Sequence, residues 1–216
     1  MMPITAVLIR DFDGESPEQH QRRVLRELAP LLSSVDSSLK GSIPSAHNFF
    51  SLSNGSFDGA VHASNTRYLV KLALREKKLD ARDEEDAFEL KPASNCGLFL
   101  GYKNYDVRIL KSGTDGSVPK PSSDARRDFF SRNQRNLPFF TIEGPSPRRR
   151  EVAVILWRLN NTLGYGGYSV AFPKGSLENG DVECHWLSEW SIAPMPLKAS
   201  PLPDDTDLDE IRPKSE

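Results

Sequence analysis

The arginines of this 216-residue chain are spaced in a way that could do chemistry. Between Lys120 and Arg150 stand eight cations: Lys120, Arg126, Arg127, Arg132, Arg135, Arg148, Arg149 and Arg150. They face only Asp124, Asp128 and Glu143, a local balance of +5 in a chain whose formal net charge is −2. Guanidinium forks bind phosphate oxygens in pairs, so this stretch reads as a surface for a nucleic-acid backbone or a protein partner. Arg108 and Lys111 extend it along a neighbouring strand, and Asn133 and Gln134 add polar contacts. The competing reading is an ordinary solvated helix face followed by a basic loop. Two further pairs of charged residues lie two positions apart. Asp11 and Asp13 alternate at the end of an apolar run, which would aim both carboxylates into one site, and Glu89 and Lys91 have the same spacing. The four histidines, His20, His47, His62 and His185, show no metal-ligand spacing, and there is no Cys-x-x-Cys, so no metal or other cofactor is expected.

Positioning such residues requires a framework, and the period of the apolar residues supplies one. Ser16-Pro17-Glu18-Gln19 carries a capping hydroxyl, a proline at the first helical position and a glutamine three residues after the cap. Val24, Leu25, Leu28, Leu32 and Val35 follow at helical spacing. Pro30 lies inside that pattern and predicts a kink or an end near Ala29. The Ser/Gly/Asn-rich stretch 33–59 reads as a loop pinned by Phe49, Phe50, Leu52 and Phe57. A second helix is predicted over 65–78 and an acidic linker over 80–86. Strand signals follow. Leu98, Leu100 and Tyr102 alternate, Lys103-Asn104 offers a two-residue turn, and Tyr105, Val107 and Ile109 return.

A third helix is predicted over 123–134, with Ala125, Phe129 and Phe130 facing inward. Val152–Leu159 is apolar on both faces and predicts a central strand. Residues 165–172 and 182–190 complete a meander. The Gly164-Tyr165-Gly166-Gly167 run precedes a strand, not a helix, and reads as a tight strand entry. Trp157, Trp186 and Trp190 read as core or sheet aromatics. The expected fold class is α+β. An antiparallel sheet of about five or six strands over 81–193 is packed by two or three helices, with a helical region over 1–80.

Beyond residue 193 the chain turns to proline and then acid. Asp204, Asp205, Asp207, Asp209, Glu210 and Glu216 oppose Arg212 and Lys214. Too little apolar surface remains there to offset ordering, so this tail is expected to be disordered, and its charge would let it cover the basic surface. Cys96 and Cys184 read as reduced, small apolar residues. No run approaches the ~20 apolar residues of a membrane span, and the start lacks a basic leader. The chain reads as a cytoplasmic protein that does not enter a membrane.

Three stretches resemble known families. Ala6-Val7-Leu8-Ile9-Arg10-Asp11-Phe12-Asp13-Gly14 resembles the first motif of the haloacid dehalogenase-like phosphatases, which implies Asp11 as nucleophile and Asp13 as acid/base beside Mg²⁺. Arg10 interrupts the apolar strand and Glu15 replaces the usual hydroxyl residue. Glu89-Leu90-Lys91 resembles the acid-x-lysine element of restriction-nuclease-like folds, which implies a Mg²⁺-binding carboxylate and a lysine that stabilises hydroxide. That element also needs an aspartate on a paired strand, whereas Asp80 and Asp83 fall in the polar linker. Finally, the hairpin ending Tyr105–Lys111, the helix carrying Phe129-Phe130-Ser131-Arg132-Asn133-Gln134, Leu137-Pro138, strand 154–159, Val170–Pro173 and Trp186 resemble small bacterial proteins. These are encoded beside helix-turn-helix regulators with an ImmA/IrrE-type metallopeptidase partner. This resemblance covers about half the chain. It implies a regulatory, stress or phage-defence setting and assigns no catalytic residue. The leading expectation is a non-enzymatic regulatory or interaction protein, with Mg²⁺-dependent phosphate chemistry as the alternative.

Overall fold

A computed structural model describes residues 14–52, 58–80, 87–93, 97–133 and 150–191. The fold is α+β. Two long helices, α1 (Pro17–Leu52) and α2 (Gly59–Asp80), precede a six-stranded sheet. Its strands are β1 (Glu89–Leu90), β2 (Leu98–Tyr102), β3 (Tyr105–Lys111), β4 (Glu151–Leu159), β5 (Tyr165–Ser176) and β6 (Val182–Leu187). They lie side by side in chain order. Every pairing is antiparallel except β3–β4, which is parallel. A parallel pair needs a crossover, and a short helix, α3 (Asp124–Phe130), with a 3₁₀ turn over Ser131–Asn133, lies within it.

The capping residues at the start of α1 act as their types predict. The Gln19 amide donates to Ser16 Oγ (3.2 Å) and the Ser16 amide donates to Gln19 Oε1 (2.9 Å). Of the kink or end expected near Ala29, the end does not occur. Helix α1 runs through Pro30 and Pro44 to Leu52, and the predicted loop over 33–59 is mostly helix. Leu28, Leu31, Val35, Leu39 and Ile43 are fully buried along one stripe. Each contributes roughly 1.5–3 kcal/mol on burial, and together they outweigh the ~3 kcal/mol of an interior proline. Phe49, expected to pin this stretch, is largely exposed. Helix α2 begins six residues before the predicted start, where Asp58 Oδ1 accepts from the amides of Ala60 and Val61.

The sheet divides the core in two. On one face Leu100, Val107, Ile109, Ile155 and Trp157 pack with the stripes of α1 and α2. On the other, Leu110, Val152, Val154 and Leu156 pack with Phe129 and Phe130 of α3. β4 lies between β3 and β5, buried on both faces, as its sequence predicts. Trp157 and Trp186 are buried, and Trp190 is half-buried with Arg158 4.0 Å above its ring. The β2–β3 turn falls at Lys103-Asn104 as predicted, but Lys103 (φ 48°), not Asn104, takes the left-handed conformation. Ala125 is exposed, not inward-facing.

Buried polar groups tie α1 to the sheet. The Tyr165 hydroxyl donates to Asp36 (2.6 Å) and the Tyr105 hydroxyl to Glu27 (2.5 Å). Burial first, and then these bonds, pushes both phenols above their ordinary range. Trp186 Nε1 donates to His20 Nδ1 (2.9 Å) beside Phe172. Burial also raises the Cys184 thiol, to about 11, which leaves it an unreactive thiol.

Where α1 meets α2, the His47 and His62 rings lie 6.4 Å apart. Burial, then His47, then Lys111 hold the His62 imidazole down at about 4. The unfolded chain binds this proton near 6.5, so between those values the unfolded state holds more protons than the folded one. This contribution to stability is complete above about pH 6.5 and falls as the pH drops toward about 4. Thermal melts across that window should show a falling Tm that His62→Gln makes flatter.

Candidate functional site

Strand pairing places Glu89 opposite Gly101, Gly101 opposite Asp106 and Asp106 opposite Val152. Directly paired residues share a face. This row therefore crosses four strands on the α3 side. The side chain of Asp106, on β3, is only 9% exposed. An unpaired carboxylate there would be costly, and three cations converge on it. Lys91 Nζ lies 2.6 Å from Oδ1, Arg132 Nη1 3.1 Å from Oδ2 and Arg150 Nη1 3.6 Å from Oδ1. Lys91 comes from just after β1, Arg132 from the 3₁₀ turn after α3 and Arg150 from the residue before β4. The guanidinium-bearing side chains remain open to water, at 37% for Arg132 and 42% for Arg150.

Two further residues shape the cluster. At Gly101 an added Cβ would stand 2.4 Å from Arg150 Nη1 and 2.9 Å from Lys91 Cε. The missing side chain is what lets both cations lie across β2. Asn133 fixes the turn that carries Arg132. Its amide donates to the carbonyls of Val152 (2.7 Å) and Pro173 (2.9 Å), and its Oδ1 accepts from the Val152 amide (2.7 Å). Beside the charges, Arg108 lies over the rings of Phe99 and Phe129, at 5.4 and 4.8 Å. Lys91 Nζ is also 5.1 Å from the centre of Phe99.

The predicted basic surface is thus gathered in part. Arg132 and Arg150 meet at Asp106, with Arg108 two residues along the same face. Lys111 falls elsewhere, because an odd spacing from Arg108 turns it to the helix-covered face, where its charge acts on His62. Arg126 and Arg127 lie on α3, where Arg127 pairs with Asp124 at 3.0 Å. Gln134, Arg135, Arg148 and Arg149 lie outside the described residues, as do Asp11, Asp13, Cys96, most of the 80–86 linker and the acidic tail.

The sequence reading sought an aspartate partner for Glu89-Leu90-Lys91 in the linker. Lys91 instead meets Asp106, two strands away. Asp106 and Phe99 were missed as site residues. The available signal was the strand's alternation, which puts an acid on the same face as Arg108. Among the described residues, no three of His, Cys, Asp or Glu gather at metal-binding separation, and no helix is long and apolar enough to cross a membrane.

No family model, curated protein or solved structure matches the chain.

A side chain at position 101 should collide with the cluster. Gly101→Ala is expected to cost about 1 kcal/mol, with most of that penalty absent in an Arg150→Ala background. A double-mutant cycle by urea unfolding reads this coupling.

Proposed function

We propose that this chain is a non-enzymatic, regulatory nucleic-acid-binding protein, and that the face around Asp106 takes the phosphate backbone. The observation that carries the reading is the convergence of Lys91, Arg132 and Arg150 on one buried carboxylate. The carboxylate neutralises a single charge and holds the guanidiniums in place. Arginine retains further donors suited to phosphate oxygens. Preorganisation lowers the side-chain entropy lost on binding. The resemblance to proteins encoded beside helix-turn-helix regulators is in keeping with such a role.

A second reading has its own support. Glu89, Lys91 and Asp106 share one face, an acid–lysine–acid set of the kind that Mg²⁺-dependent phosphodiester cleavage uses. It predicts Mg²⁺-dependent plasmid nicking that disappears in Glu89→Gln and in Lys91→Ala. The three cations already engaged with Asp106 favour the binding role.

Oligonucleotide binding by fluorescence anisotropy, repeated over a salt series, tests the proposal. Affinity should fall linearly with salt on a log–log plot. Arg132→Ala with Arg150→Ala should weaken binding at least tenfold and lower the slope by about 1, the loss of one phosphate contact. Absence of salt-dependent binding by a folded protein at low salt overturns it.

A further inference from the structure

Resting on that reading, we infer that the ligand is single-stranded nucleic acid, with a base stacked on the Phe99–Arg108 layer while its phosphate sits at the Asp106 cations. Three features carry this. First, the cation heads all lie within 3.6 Å of one carboxylate, so their footprint is that of one phosphate group. A duplex instead presents phosphates in two rows separated by groove widths of roughly 6–12 Å. Second, an aromatic ring adjoins the charges. Phe99 is partly exposed on the same face, and Lys91 links the two features, 2.6 Å from Asp106 and 5.1 Å from the ring centre. A nucleotide holds its phosphate and base one sugar apart, and this face offers a partner to each.

Third, the ring is held in place. Phe99 meets Phe129 edge-on, with centroids 5.5 Å apart and planes at 89°, and Arg108 lies over both rings. Aromatic faces and arginine planes are the usual stacking partners of unpaired bases, which every base satisfies alike. The site therefore distinguishes unpaired from paired strands more than it distinguishes sequences. Inside a duplex each base is already stacked and is unavailable to Phe99.

The test uses the full chain, a labelled thymidine strand, the corresponding duplex and a strand of the same length whose central sugars lack bases. The intact single strand should bind at least tenfold tighter than either other probe. Phe99→Ala should reduce single-strand affinity about 5–100-fold, as loss of one stacked base implies. Phe99→Trp should retain the preference, and Phe99→Leu, which keeps apolar bulk in the core, should lose it. Circular dichroism confirms that each variant is folded. Equal binding of all three probes, unaltered by Phe99→Leu but weakened by Arg132→Ala with Arg150→Ala, overturns this inference and leaves the proposed function standing. Absence of binding to every probe at low salt overturns both.

Discussion

One buried carboxylate organises the α3 side of this protein. Asp106 sits on β3, between the last antiparallel pairing of the first hairpin and the single parallel pairing of the sheet. Removing an ion from water costs several kcal/mol after relaxation, so that position is tenable only if the chain delivers countercharge. It does so from three separate segments, after β1, after α3 and before β4. The same contacts hold the edge strand, the crossover and the central strand in register. Asn133 secures the crossover by binding both polar groups of Val152.

The opposite side depends on burial. A 36-residue helix containing two prolines is a poor helix by propensity, and its sequence reads locally as a helix followed by a loop. What local signals do not report is the tertiary partner. Leu31, Leu39 and Ile43 keep the helical period beyond Pro30, and they reach a sheet and a second helix that cover them. Propensity was overridden where packing supplied the larger energy. Where tertiary contacts and local signals agree, as at the Ser16 cap, the Lys103-Asn104 turn and the doubly buried β4, the elements were legible.

The candidate site divides along the same line. Charge density along the chain marked Arg132 and Arg150, because a run of arginines is a one-dimensional property. Their meeting point was not legible, since Asp106 and Lys91 are joined to them through strand register and through a parallel pairing that the alternation of apolar residues does not announce. The turn of Lys111 to the other face follows from the same register. Gly101 is the least legible position. It looks like an ordinary interruption of an apolar strand, and its meaning emerges only from the two side chains that cross it.

Donor and acceptor capacity then separates a structural ion cluster from a binding surface. One lysine and two arginines carry roughly thirteen donor hydrogens, whereas a carboxylate offers about four acceptor positions. Asp106 can satisfy only a minority of them. A cluster built for stability alone would exclude water from its donors, since a partly satisfied buried network is worse than an apolar one. Here the acid is buried while the arginines stand at the surface. On the proposed reading, their remaining donors would exchange water for a phosphate oxygen without reorganising the side chains. Because Asp106 holds Lys91 and Arg132 in place, the proposed phosphate ligand would meet a geometry already set.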